Sequence, residues 1–100
     1  MYYTYLIRCS DNSLYCGITT DIKRRFTEHK EKLPKGAKYT HNAEKIEIVF
    51  VSENRSLASK LEYQIKRLTK EKKEILISEK SLDVLGDKAN KKCYTLYTEK

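Results

Sequence analysis

Two short motifs, Tyr3-Thr4-Tyr5 and Tyr15-Cys16-Gly17, set tyrosines ten residues apart near the start of the chain, and a basic run, Asp21-Ile22-Lys23-Arg24-Arg25, follows. His29 comes one helical turn beyond Arg25, and Glu62 sits on a later helical stretch. A phenol can orient water or take its proton, and an imidazole moves protons near neutral pH. A guanidinium grips phosphate oxygens in pairs, and a carboxylate holds a divalent cation. In a chain of net charge +7, these are the groups that one-metal hydrolysis of a phosphodiester needs.

Each residue taken singly has a plainer reading. Glu62 is four residues before Lys66, the spacing of an ordinary helix ion pair. Arg25 and Arg24 can be surface cations, with Arg25 flanking the apolar stripe and Arg24 turned to solvent. His29 lies on the stripe, either as a core histidine bonded to backbone or as an acid–base group at a cleft edge. The tyrosines, eight in all, can be half-buried packing with wet hydroxyls. Gly17 allows a backbone or a substrate to come close.

The elements that must position these groups follow from local chemistry. Tyr2 to Arg8 and Leu14 to Ile18 are β-prone runs, and Ser10-Asp11-Asn12-Ser13 between them is turn chemistry, so the first two runs read as an antiparallel hairpin. Thr20 or Asp21 caps a helix through about Lys32. Ile22, Phe26, His29 and Leu33 form its stripe, and Pro34 ends it. Pro34 to Asn42 reads as a loop carrying Lys35, Lys38 and Tyr39. Ile46 to Val51 is a nearly all-apolar third strand, expected at the sheet centre. Ser56 is the expected cap of a helix to about Leu68, with Leu57, Leu61, Ile65 and Leu68 inward. Thr69 opens a short third helix through Ile77. The order ββαβαα predicts an α+β domain, a small three-stranded antiparallel sheet flanked by helices, over residues 1–78. Residues 79–100 are expected to be a flexible tail or to add a late strand at Tyr94 to Tyr97.

One hundred residues allow a single small domain. No run approaches the roughly 20 apolar residues of a membrane span. The N-terminus lacks the basic and apolar regions of a signal peptide, so a cytoplasmic protein is expected. Three cysteines without C-x-x-C spacing suggest neither a disulfide framework nor a zinc knuckle. Residues 1–78 hold sixteen Lys or Arg against ten Asp or Glu. This basic excess suits a nucleic-acid partner, although a solvated lysine-rich surface would look the same.

The joint spacing is more specific than any member. Tyr-x-Tyr, Tyr-x-Gly ten residues on, arginine eight beyond the glycine, histidine four later and glutamate on the next helix resembles the GIY-YIG nuclease family, over roughly residues 2–78. Gly36-Ala37-Lys38-Tyr39-Thr40 resembles a loop of its small stand-alone bacterial members. The first motif is Tyr-Thr-Tyr rather than Gly-Ile-Tyr, and Ile18 stands where several relatives have lysine. The resemblance implies a metal-dependent endonuclease cutting DNA phosphodiesters, branched or damaged DNA and hence repair or recombination included. It makes Glu62 the ligand of one Mg²⁺ or Mn²⁺, Arg25 the phosphate clamp, Tyr15 the base, Tyr5 the residue orienting water, and His29 an assistant. These five are expected to converge on one concave basic face. Arg24, Lys35, Lys38 and Tyr39 would contact nucleic acid at its mouth. The alternatives are a non-catalytic nucleic-acid-binding module and an adaptor of a repair complex. With no separate DNA-recognition domain attached, target choice would come from this domain, its tail, a protein partner or a second subunit of a homodimer.

Overall fold

The computed structural model describes residues 1–30 and 43–97, with the side chains of His29 and Lys30 outside that description. Strand β1 (Tyr2–Cys9) turns into β2 (Leu14–Thr19), followed by helix α1 (Ile22–Lys30), strand β3 (Ala43–Ser52) and helices α2 (Arg55–Lys66) and α3 (Lys70–Glu79). Two 3₁₀ turns, Asp83–Lys88 and Lys91–Cys93, lead to a short strand β4 (Thr95–Leu96). The sheet is antiparallel throughout, in the order β2-β1-β3-β4. The α+β class is as expected from the sequence. The strand count is corrected from three to four, because Thr95 and Leu96 pair with Val51 and Phe50.

The hairpin turn works as its residues predict. Asp11 accepts from the Ser13 amide at 3.0 Å and from its hydroxyl at 2.6 Å. Asn12 takes the left-handed backbone (φ 72°) that asparagine tolerates. Asp21 caps α1 by accepting from the Arg24 amide at 3.1 Å. Thr69 caps α3 by accepting from the Lys72 amide at 3.2 Å. The cap of α2 is Asn54 rather than Ser56, accepting from the Leu57 amide at 2.9 Å. Both residue types cap well, and the earlier one takes the position.

β1 is buried on both faces, because alternate side chains feed two separate cores. Leu6 joins Cys16, Ile48, Phe50, Leu61, Ile65 and Leu76 under α2 and α3. Tyr5 and Ile7 join Ile22 and Val49 on the α1 face, where Phe26 packs against them. Beyond residue 78 the described chain packs mainly on the first of these cores, and Tyr97 reaches the second. Leu82 and Leu85 are buried in the first, the Tyr94 hydroxyl donates to the Leu57 carbonyl at 2.7 Å, and Tyr97 meets Tyr3 edge-on at 5.2 Å. Among the described residues no helix is long and apolar enough to cross a membrane.

A polar tie that sequence spacing did not single out joins three elements. Arg8 Nε donates to Glu47 at 2.7 Å and Nη2 donates to Glu74 at 2.7 Å, while Nη1 donates to Asn12 Oδ1 at 3.0 Å. One guanidinium thus links β1 to β3, α3 and the hairpin turn. Its hydrogen bonds hold the Glu74 carboxyl far below the usual range, at about 2.

Candidate active site

β1 and β2 pair so that Tyr5 lies directly across from Gly17. Their side chains share one face with Tyr15, because residues two apart on a strand do. The Tyr5 phenol fills the space a side chain at position 17 would need. A Cβ there would stand 2.4 Å from the Tyr5 hydroxyl oxygen, 2.7 Å from its Cζ and 3.3 Å from Tyr15 Cε2. The glycine of the second motif is therefore required by the tyrosine of the first. The two rings sit 6.2 Å apart at a tilt of 54°.

Helix α1 lays Arg25 over this pair. Its Nε donates to the Tyr5 hydroxyl at 3.3 Å, and Nη1 pairs with Glu28 at 3.2 Å. These contacts, the Tyr5 bond first, together with a hydrogen bond to Tyr15, hold Arg25 even more firmly protonated than usual. Tyr5 is fully buried (1% exposed). Burial pushes its hydroxyl up to about 12 against the pull of Arg25. Tyr5 is thus neutral at every physiological pH and serves as a fixed polar partner. Sequence reasoning passed over Glu28, whose only signal is its i,i+3 spacing from Arg25.

Glu62 reaches the sheet from the other side. α2 packs on the Cys16 face, whereas Tyr15 and Gly17 belong to the α1 face. The Glu62 carboxylate is part-buried (23% exposed) and pairs with Lys66 at 3.3 Å. Its charge is felt at Cys16, where burial first and Glu62 second push the thiol up to about 12. Of the residues expected to converge, Tyr5, Tyr15 and Arg25 come together on one face, and α2, which carries Glu62, packs on the other. Both helices do carry their candidates at the edge of an inward stripe, but they cover opposite sides of the sheet. β2 is an outer strand of the sheet.

Arg24 is exposed at the start of α1. The His29 side chain and all of Lys35, Lys38 and Tyr39 lie outside the described residues. Among the described residues no group of three or more His, Cys, Asp or Glu could enclose a metal ion. A lone part-buried carboxylate fits an ion such as Mg²⁺, which keeps most of its waters, and does not fit a closed zinc site.

A small α+β domain with a Tyr–Tyr–Arg cluster seated on a glycine of an outer strand has the architecture of a GIY-YIG domain. The chain matches the GIY-YIG catalytic domain over residues 1–75 and belongs to that family. A UPF0213 protein of Vibrio cholerae serotype O1 is 45% identical over 80 residues, 77% of either chain. One from Fusobacterium nucleatum is 48% identical over 79 residues, again 77% of either chain. The fold is similar to the solution NMR structure of a UPF0213 protein from Bacillus halodurans, with TM-score 0.51, 35% identity, and coverage of 88% of this chain and 96% of that one.

Two outcomes follow from the seat. Gly17→Ala should cost about 1–3 kcal/mol in urea unfolding, because the buried Tyr5 ring must move aside; an unchanged midpoint would show that the ring does not need the glycine. The second concerns alkaline pH. Tyr5 titrates at about 12 when folded against the ordinary 10.0, so the unfolded chain releases that proton first as pH rises. The stabilisation is complete below pH 10 and is lost as pH climbs towards 12. Tyr5→Phe should flatten the fall of stability with pH in that window, and a slope equal to the parent's would contradict the burial.

Proposed function

We propose that this chain is a metal-dependent endonuclease that hydrolyses phosphodiester bonds in DNA. The observation that supports it best is the Tyr5–Tyr15–Arg25 cluster around Gly17, within a domain of the GIY-YIG family. Arg25 has five N–H donors. Three serve Tyr5, Glu28 and Tyr15, and the remaining two suit the non-bridging oxygens of a phosphate. A phosphate laid along the β2 edge would meet Arg25 from one face and the Glu62 carboxylate from the other. Tyr15, less buried than Tyr5, is the base in this reading, and neutral Tyr5 holds Arg25 and orients the attacking water. Glu62 would hold the Mg²⁺ or Mn²⁺ after releasing Lys66, an inexpensive exchange for a pair near the surface. The chemistry such an ion supplies when bound is Lewis-acid offset of the charge that grows on the phosphate.

The test is Glu62→Gln. Gln is nearly isosteric, so stability should change by less than about 1 kcal/mol. Nicking of plasmid or branched DNA with Mg²⁺ or Mn²⁺ should vanish, while a gel shift in EDTA should persist. Undiminished cutting by the variant would reduce Glu62 to a partner of Lys66. If neither protein cuts any DNA form and both bind it, the chain is a nucleic-acid-binding module.

A further inference from the structure

A second cationic site lies on the far side of α2 from Glu62. Where α2 gives way to α3, the 3₁₀ turn Asp83–Lys88 folds against both helices and leaves a cavity of about 150 Å³. Arg67, Lys72 and Lys88 line it together with Gln64 and Thr69, and Leu85 is among its apolar lining. The turn reverses at Gly86, whose backbone (φ 58°, ψ −130°) suits glycine, and Lys88 follows two residues later.

Several nearby cations are neutralised by carboxylates. Lys66 pairs with Glu62, Lys70 with Glu74 and Lys91 with Asp83. Arg67, Lys72 and Lys88 have no carboxylate partner among the described residues, although Glu71 and Asp87 adjoin two of them in sequence. Arg67 is steadied instead by Tyr63. One of its N–H groups donates to the Tyr63 hydroxyl at 2.7 Å, and the guanidinium lies 5.4 Å from the ring centroid. That leaves the remaining guanidinium donors for a ligand. Gln64 makes no side-chain hydrogen bond among the described residues. The cavity also meets the first turn of α3, whose amide dipoles favour an anion. Three uncompensated cations around one small concavity make a place for a group with two or more anionic oxygens.

We propose that this cleft binds a backbone phosphate of the nucleic acid, a second anchor on the face of α2 away from Glu62. The proposal rests on the nucleic-acid reading above and adds that the contact surface extends over α2 and α3. Tyr63, 56% exposed, stands beside the cleft as an open aromatic face of the kind on which an unpaired base stacks. A single-stranded segment is therefore the form it suits best.

The experiment compares the parent chain with the triple variant Arg67→Gln, Lys72→Gln, Lys88→Gln, none of which belongs to the Tyr5–Tyr15–Arg25 cluster. Anisotropy of a labelled single-stranded oligonucleotide is followed across a salt series, with a thermal melt to verify folding. Affinity should fall about tenfold at low salt, the size of effect expected from one charge-assisted hydrogen bond. The slope of log K against log salt should become shallower by about one unit. Lys91→Gln, which removes a paired lysine, should leave the slope unchanged. In ¹⁵N spectra of the parent, the oligonucleotide should shift the amides of Thr69 to Lys72 and of Lys88. Equal slopes in parent and triple variant would overturn the second anchor and leave the main reading intact. Shifts with inorganic phosphate but not with the oligonucleotide would overturn it in favour of a small-anion site. A parent that binds no oligonucleotide at any salt would overturn both.

Discussion

The close approach of the Tyr5 phenol to the Gly17 backbone governs the rest of this structure. No other residue type leaves room for an oxygen 2.4 Å from where its Cβ would be. The register of β1 against β2 is held to the pairing that puts these two residues opposite one another. Once seated, the hydroxyl is buried and must find a partner, since an unsatisfied buried polar group is costly. Arg25 supplies it. The orientation of α1, the protonation of Tyr5 and the placement of the guanidinium therefore all descend from one backbone position.

The second constraint is the division of the sheet into two faces. α1 closes one face and α2 with α3 closes the other, so in the proposed function Arg25 and Glu62 would share a ligand around the edge of β2. Such an edge site would leave both groups open to a long polymer, which a closed cleft would exclude. It also demands rigidity across the sheet. The Arg8 tie to Glu47, Glu74 and Asn12 provides it, joining the hairpin that carries Tyr5 and Gly17 to α3 and β3.

Much of this was legible in the sequence wherever a local rule applied. Asp11 and Asn12 announced the hairpin, and Asp21 and Thr69 announced their helices. The purpose of Gly17 was half legible: spacing suggested close approach, and what approaches is a side chain of the same chain. The side of the sheet that α2 covers was not legible, because helix periodicity identifies a buried stripe without saying which face it meets. Glu28 was invisible for a different reason. An i,i+3 pair is common on any helix, and only the bond of the same Arg25 to Tyr5 gives this one its place. The contribution of Leu82 and Leu85 to the core was hidden by the 3₁₀ turns, whose short runs show no periodicity.

The central claim is that Glu62 and the Tyr5–Gly17–Arg25 seat border one site around the edge of β2. Titration of the ¹⁵N-labelled chain with Mn²⁺, in the presence of an uncleavable oligonucleotide, tests it most directly, since a paramagnetic ion broadens only nearby amides. The account predicts selective broadening around Glu62 in α2 together with Cys16 and Gly17 in β2, and its loss in Glu62→Gln. Broadening confined to other elements, or an unchanged pattern in the variant, would contradict it.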